Sequence, residues 1–72
     1  MKRKELDDMA NHWPSTLVAR SQVKSFSGGA ISGKTLANLD SLGLGVPDRF
    51  KIGRQVVYPV QSLIRWLESQ CK

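Results

Sequence analysis

Residues Gly28-Gly29-Ala30-Ile31-Ser32-Gly33-Lys34-Thr35 fill every fixed position of the phosphate-loop pattern G-x-x-x-x-G-K-[ST]. They force a choice between two kinds of fold. A working phosphate loop springs from a buried, near-continuously apolar strand and opens a helix in a sheet covered on both faces. The alternative is a turn followed by a capped helix. The flanking sequence selects the turn. Arg20-Ser21-Gln22-Val23-Lys24-Ser25-Phe26-Ser27 is too polar for a buried strand. The chain after Thr35 is too short for the further strands and crossovers of a doubly wound sheet, and no apolar run ends in the Asp that would complete a Mg²⁺ site. No nucleotide, cofactor or metal is expected.

Local signals then divide the chain. Residues 1–15 lack apolar periodicity and end in His12-Trp13-Pro14, which predicts a flexible N-terminal arm with Trp13 docked on the domain formed by 16–72. A short helix is expected over Arg20 to Phe26, with Val23 and Phe26 inward and Leu17 entering the core just before it. Gly28 and Gly29 stop it. Ser32 is placed to cap a second helix from Gly33 to Leu42, with Ile31 and Leu36 at the two positions of a hydrophobic staple. Gly43 should close that helix, with Leu44 folding back on Leu39. Phe50 and Ile52, then Val56, Val57 and Tyr58, mark two strands. Gly53-Arg54 between them suits a two-residue hairpin turn. Pro59 can open a last helix, whose Val60, Leu63, Ile64 and Leu67 form a complete apolar stripe, widened by Trp66.

Charge narrows the function. The first fifteen residues balance Lys2, Arg3 and Lys4 against Glu5, Asp7 and Asp8, so the whole net charge of +5 falls on the folded part. A small basic domain attracts polyanions, of which nucleic acid is the commonest. A 72-residue chain buries only about 60% of its unfolded surface, which leaves little room for a deep catalytic pocket. Asp40 and Asp48 have no second acid or His placed to share acid–base work. They are taken as a helix-surface charge and a turn former, and the chain is not expected to be an enzyme. His12 has no partner ligands for a metal. The single cysteine, Cys71, fits a reducing cytoplasm, and nothing in the sequence predicts a membrane partner.

The order helix, turn, helix, hairpin, helix is that of an α+β, mostly helical winged helix-turn-helix, in which the second helix enters the major groove. Projected at about 100° per residue, that helix turns Thr35, Leu36, Leu39 and Leu42 inward. Lys34, Ala37 and Ser41 then face outward, with Gly33 and Asn38 on the flanks. Asn can pair with an adenine edge, and Lys can reach guanine or a phosphate.

Three segments carry a family likeness. In order and spacing, Ile31-Ser32-Gly33-Lys34-Thr35-Leu36-Ala37-Asn38-Leu39, Lys51-Ile52-Gly53-Arg54-Gln55-Val56-Val57-Tyr58 and Leu63-Ile64-Arg65-Trp66-Leu67 resemble the small AlpA-like and excisionase DNA-binding proteins of phages and mobile elements, which are related to the MerR-type winged helix-turn-helix. The likeness spans residues 17–69. It implies a double-stranded DNA binder that bends attachment-site DNA and assists an integrase, or alternatively a prophage transcription regulator, with self-association on DNA possible in either case. A protein-interaction module using the same basic surface is the other class considered. The resemblance implies groove or phosphate contacts by Ser32, Lys34, Thr35 and Asn38, and wing contacts by Lys51, Arg54 and Gln55. Gly33, Ala37 and Ser41 complete the recognition-helix face, Arg20 and Lys24 are expected on flanking phosphates, and Trp66 and Leu67 belong to the core. Two features depart from the family pattern: Ser27 to Ala30 lengthens the turn, and Ala19 stands where a Ser or Thr cap would be.

Overall fold

A computed structural model of the chain describes residue 8 and residues 10–70. The expectations about Lys2, Arg3, Lys4 and Cys71 lie outside the described residues. The described chain is α+β. A helical turn through residues 10–12 (α1) leads to β1 (Leu17–Ala19), and a 3-10 turn, Arg20–Gln22, runs directly into α2 (Val23–Phe26). Then follow α3 (Gly33–Ser41), β2 (Phe50–Ile52), β3 (Gln55–Pro59) and α4 (Val60–Gln70). The sheet is antiparallel with order β1-β3-β2. About half of the described residues are helical, rather than most of them.

The helix boundaries follow from capping chemistry. At the end of α2, the Gly28 N–H donates to Ser25 O at 3.3 Å and the Gly29 N–H to Lys24 O at 2.8 Å, which is a complete Schellman closure. Gly28 sits there at φ 67°, a left-handed conformation that favours glycine. The Ser27 hydroxyl then accepts from the Ile31 N–H and donates to Ile31 O, each at 3.1 Å, bracing the connection. Ser32 caps α3, its Oγ accepting from the Thr35 N–H at 3.1 Å. So Gly28 to Thr35 joins helix to helix, whereas a phosphate loop joins strand to helix.

The second Schellman closure ends α3, with the Gly43 N–H on Asp40 O at 3.1 Å and the Leu44 N–H on Leu39 O at 2.9 Å. Leu44 thus returns to Leu39 through its backbone N–H, while the residue stays 63% exposed. Its carbonyl accepts from Trp66 Nε1 at 2.9 Å.

The core gathers Val18, Val23, Phe26, Leu36, Val46, Tyr58, Val60, Leu63, Ile64 and Trp66. The α4 stripe supplies most of one side, with Val60, Leu63, Ile64 and Trp66 buried and Leu67 half-buried. Each such side chain contributes about 1.5–3 kcal/mol relative to exposure. Trp13 packs against this core: its ring meets Phe26 edge-on at 5.2 Å between centroids, and its Nε1 donates to Leu17 O at 2.9 Å.

Four expectations need correction. Leu17 to Ala19 forms a strand paired to Val57, Tyr58 and Pro59, where only a core-entering residue was foreseen. Pro59 ends β3 and does not open α4, which starts at Val60 with its N–H donating to Thr16 O at 2.9 Å. The inward face of α3 is rotated from the one projected: Leu36 and Asp40 are buried, while Thr35 and Leu42 point to solvent. Asp40 is therefore not a surface charge. Gly33 lets α3 pack this close to the Arg20 backbone, because a Cβ there would collide with the Arg20 carbonyl.

Candidate nucleic-acid interface

Four of the described cations, Arg20, Lys24, Lys34 and Arg54, converge where three elements meet. A groove of about 500 Å³ is lined by Arg20, Ser21 and Lys24 from the 3-10 turn and α2, by Ser32, Gly33, Lys34 and Ala37 from the start of α3, and by Arg54, Gln55 and Val56 from the hairpin. None of these lining residues is acidic or aromatic. The amide-rich first turn of α3 adds a partial positive charge at the same place.

Most of the residues expected from sequence meet here, and each has a definite environment. Lys24, Lys34, Arg54 and Gln55 are exposed, and among the described residues no ion pair ties the three cations down. Ser32 spends its hydroxyl on the cap and on Thr35 Oγ1 at 3.0 Å. As Thr35 Oγ1 accepts that bond, the Thr35 hydroxyl proton stays available to a ligand. Thr35 and Asn38 are exposed on α3 beyond the groove lining. Ser41 lies a turn further on, its Oγ donating to Asn38 O at 2.8 Å. Lys51 is also outside the lining, but it pairs with Val56 across the hairpin and so shares the sheet face that closes the groove. The hairpin turn itself is as the sequence suggests, with Gly53 at φ 60° between Ile52 and Gln55.

Arg20 differs from the other cations. Its Nη2 donates to Asp40 Oδ2 at 2.8 Å and its Nε to the Tyr58 hydroxyl at 2.8 Å. Tyr58 donates to the same Asp40 Oδ2 at 2.6 Å, and the Val46 N–H donates to Asp40 Oδ1 at 3.1 Å. Arg49 Nε stands 3.8 Å from Oδ2. Thus a buried carboxylate is satisfied on both oxygens by groups from the 3-10 turn, β3 and the loop after α3. Burial acts to lower the Arg20 pKa, yet its bonds to Tyr58 and Asp40 raise it on balance. For Tyr58, burial and the bond to Asp40 push the phenol up to about 12 against the opposing pull of Arg20.

Sequence reasoning missed Ser21 and Val56 in the lining, and it missed the Asp40–Tyr58 pairing. Ser21 carried no signal of its own. A lone tyrosine in an apolar strand did, because a buried phenol needs a polar partner. Asp40, one turn after Leu36 on the same helix face, was available to supply it. No protein-family model, curated protein or solved structure matches this chain. Among the described residues no helix is long and apolar enough to cross a membrane.

Proposed function

We propose that the chain is a sequence-specific double-stranded DNA-binding domain of the winged helix-turn-helix kind, with α3 as recognition helix and the β2–β3 hairpin as wing. The observation that carries this reading is the groove in which Lys24, Lys34 and Arg54 meet the first turn of α3 with no acidic residue among them. An α-helix is about 10–12 Å across with its side chains, which suits a major groove about 12 Å wide. Small Gly33 and Ala37 let the α3 backbone approach closely, Asn38 offers donors to a base edge, and Lys34 reaches a guanine edge on a selected site or a phosphate on any duplex. Arg54 at the hairpin tip supplies charge to the flanking phosphates.

A single-stranded target fits less well. Proteins that hold single strands stack bases on aromatic side chains, and no aromatic residue lines this groove. The likeness of the three sequence segments to excisionases and AlpA-like regulators supports a role on mobile-element DNA. Excision with an integrase and transcription control would both use this surface.

Selection of binding sites from random duplexes tests the reading. An enriched motif is expected. On the selected site, Lys34→Ala or Asn38→Ala should weaken binding by about 1–3 kcal/mol, whereas Arg54→Ala should weaken selected and unselected duplexes alike. Failure to enrich any motif, with a single protein retained after nuclease treatment, would favour an interaction module on the same basic surface.

A further inference from the structure

Arg20 lines the groove, yet its hydrogen bonds are made inside the protein. Its guanidinium carbon stands 5.9 Å from the Tyr58 ring centroid, and its Nε and Nη2 are taken by Tyr58 and Asp40. The Asp40 side chain is 3% exposed and that of Arg20 28%. The three residues belong to α3, the 3-10 turn and β3, which are the elements whose spacing shapes the groove. Lys24, Lys34 and Arg54 have no such tie among the described residues. Arg20 Nη1 keeps its donors, but Asp40 already balances the guanidinium charge, so a phosphate gains less there than at the unpaired Lys24, Lys34 or Arg54. Swinging Arg20 out would moreover leave a buried carboxylate short of its principal counter-ion.

We propose that Asp40 withholds Arg20 from the phosphate backbone, so that Arg20, Asp40 and Tyr58 form a positioning joint between α3 and the hairpin while Lys24, Lys34 and Arg54 make the phosphate contacts. This inference rests on the duplex-binding reading. The joint acts on specificity as well as on placement. Recognition helix and hairpin must touch the duplex together, so loosening their spacing costs more on a selected site than on a mixed-sequence one.

The test is fluorescence anisotropy of the full chain with a mixed-sequence DNA duplex across a salt series. Each phosphate contact adds about 0.9 to the slope of log K against log salt. Lys24→Gln and Lys34→Gln should each lower the slope by about that amount, and Arg20→Gln should leave it unchanged. Asp40→Asn frees Arg20 and should steepen the slope by about 0.9, which a purely structural lesion would not do. The inference is overturned if Arg20→Gln flattens the slope as much as Lys24→Gln does. Should either joint variant fail to fold, the wild-type chain decides. Its Arg20 Nε–H resonance should keep its free-state position when the duplex is added, and a shift saturating with the duplex would overturn the proposal. A flat salt response of the wild type would bring down the duplex reading itself, whereas a steep wild-type response with a shallow Arg20→Gln response would bring down this inference alone.

Discussion

Helices α3 and α4 are held to the same small domain by different means. α4 buries four apolar side chains, Val60, Leu63, Ile64 and Trp66, against the core. α3 buries one, Leu36, with Leu39 half-buried against the core, together with the carboxylate of Asp40. A helix fixed by an apolar stripe must turn that whole face inward. One fixed by one buried leucine, one half-buried leucine and a multiply bonded carboxylate leaves more of its circumference for other uses. On the proposed duplex-binding reading, α4 is the scaffold helix and α3 the contact helix, and that division can be broken experimentally.

The largest effect should come from the polar anchor. Asp40→Ala removes the counter-ion of Arg20 and the acceptor of Tyr58, and should lower stability in urea unfolding by about 3–5 kcal/mol. If the loss were under about 1 kcal/mol, α3 would be held by its leucines alone and the contrast would fail. Next comes the apolar anchor. Leu63→Ala, at a fully buried position, should cost about 2–5 kcal/mol, and its effect on DNA affinity should vanish once measured on folded protein.

Alkaline pH sharpens the comparison further. The Tyr58 phenol has a folded pKa of about 12, raised from 10.0. Its protonated form is therefore the one that folding favours. The contribution is complete below pH 10 and is lost as pH rises through about 12. The chain has a single tyrosine, so phenolate absorbance reads this site directly. Ionisation should track unfolding in the wild type, and Tyr58→Phe should lose the alkaline transition in stability. A tyrosine titrating near 10 with the fold intact would contradict the joint. The smallest stability effect is at the cap. Ser32→Ala should cost about 1 kcal/mol by leaving the Thr35 N–H unsatisfied, as read by thermal unfolding.

The same comparison explains what the sequence disclosed. α4 was legible because an i, i+3, i+4, i+7 stripe has one reading, and the hairpin because Gly53-Arg54 separates two apolar runs. The ends of α3 were legible through Ser32 and Gly43, which carry their own cap chemistry. Its rotation was not. Apolar periodicity assigns Asp to the outside, so the projection kept Leu36 inward but swung toward Thr35 and Leu42 and left out Asp40, which is buried. β1 was illegible for a simpler reason. Three residues show no period, and Leu17 to Ala19 become a strand only because β3 is there to pair with them. The groove residues were found mostly through the family likeness and charge, while the joint that orders them depends on a long-range contact between Asp40 and Tyr58 that no local pattern encodes.

The claim that α3 is the contact helix and α4 the scaffold is tested most directly by matched charge removals on the two. Lys34→Ala and Arg65→Ala both delete an exposed cation, and each should change stability by no more than about 0.5 kcal/mol. In a salt titration of binding to a mixed-sequence DNA duplex, Lys34→Ala should reduce the slope by about one phosphate contact and Arg65→Ala should leave it unchanged. Equal reductions from both, or none from either, would contradict the account.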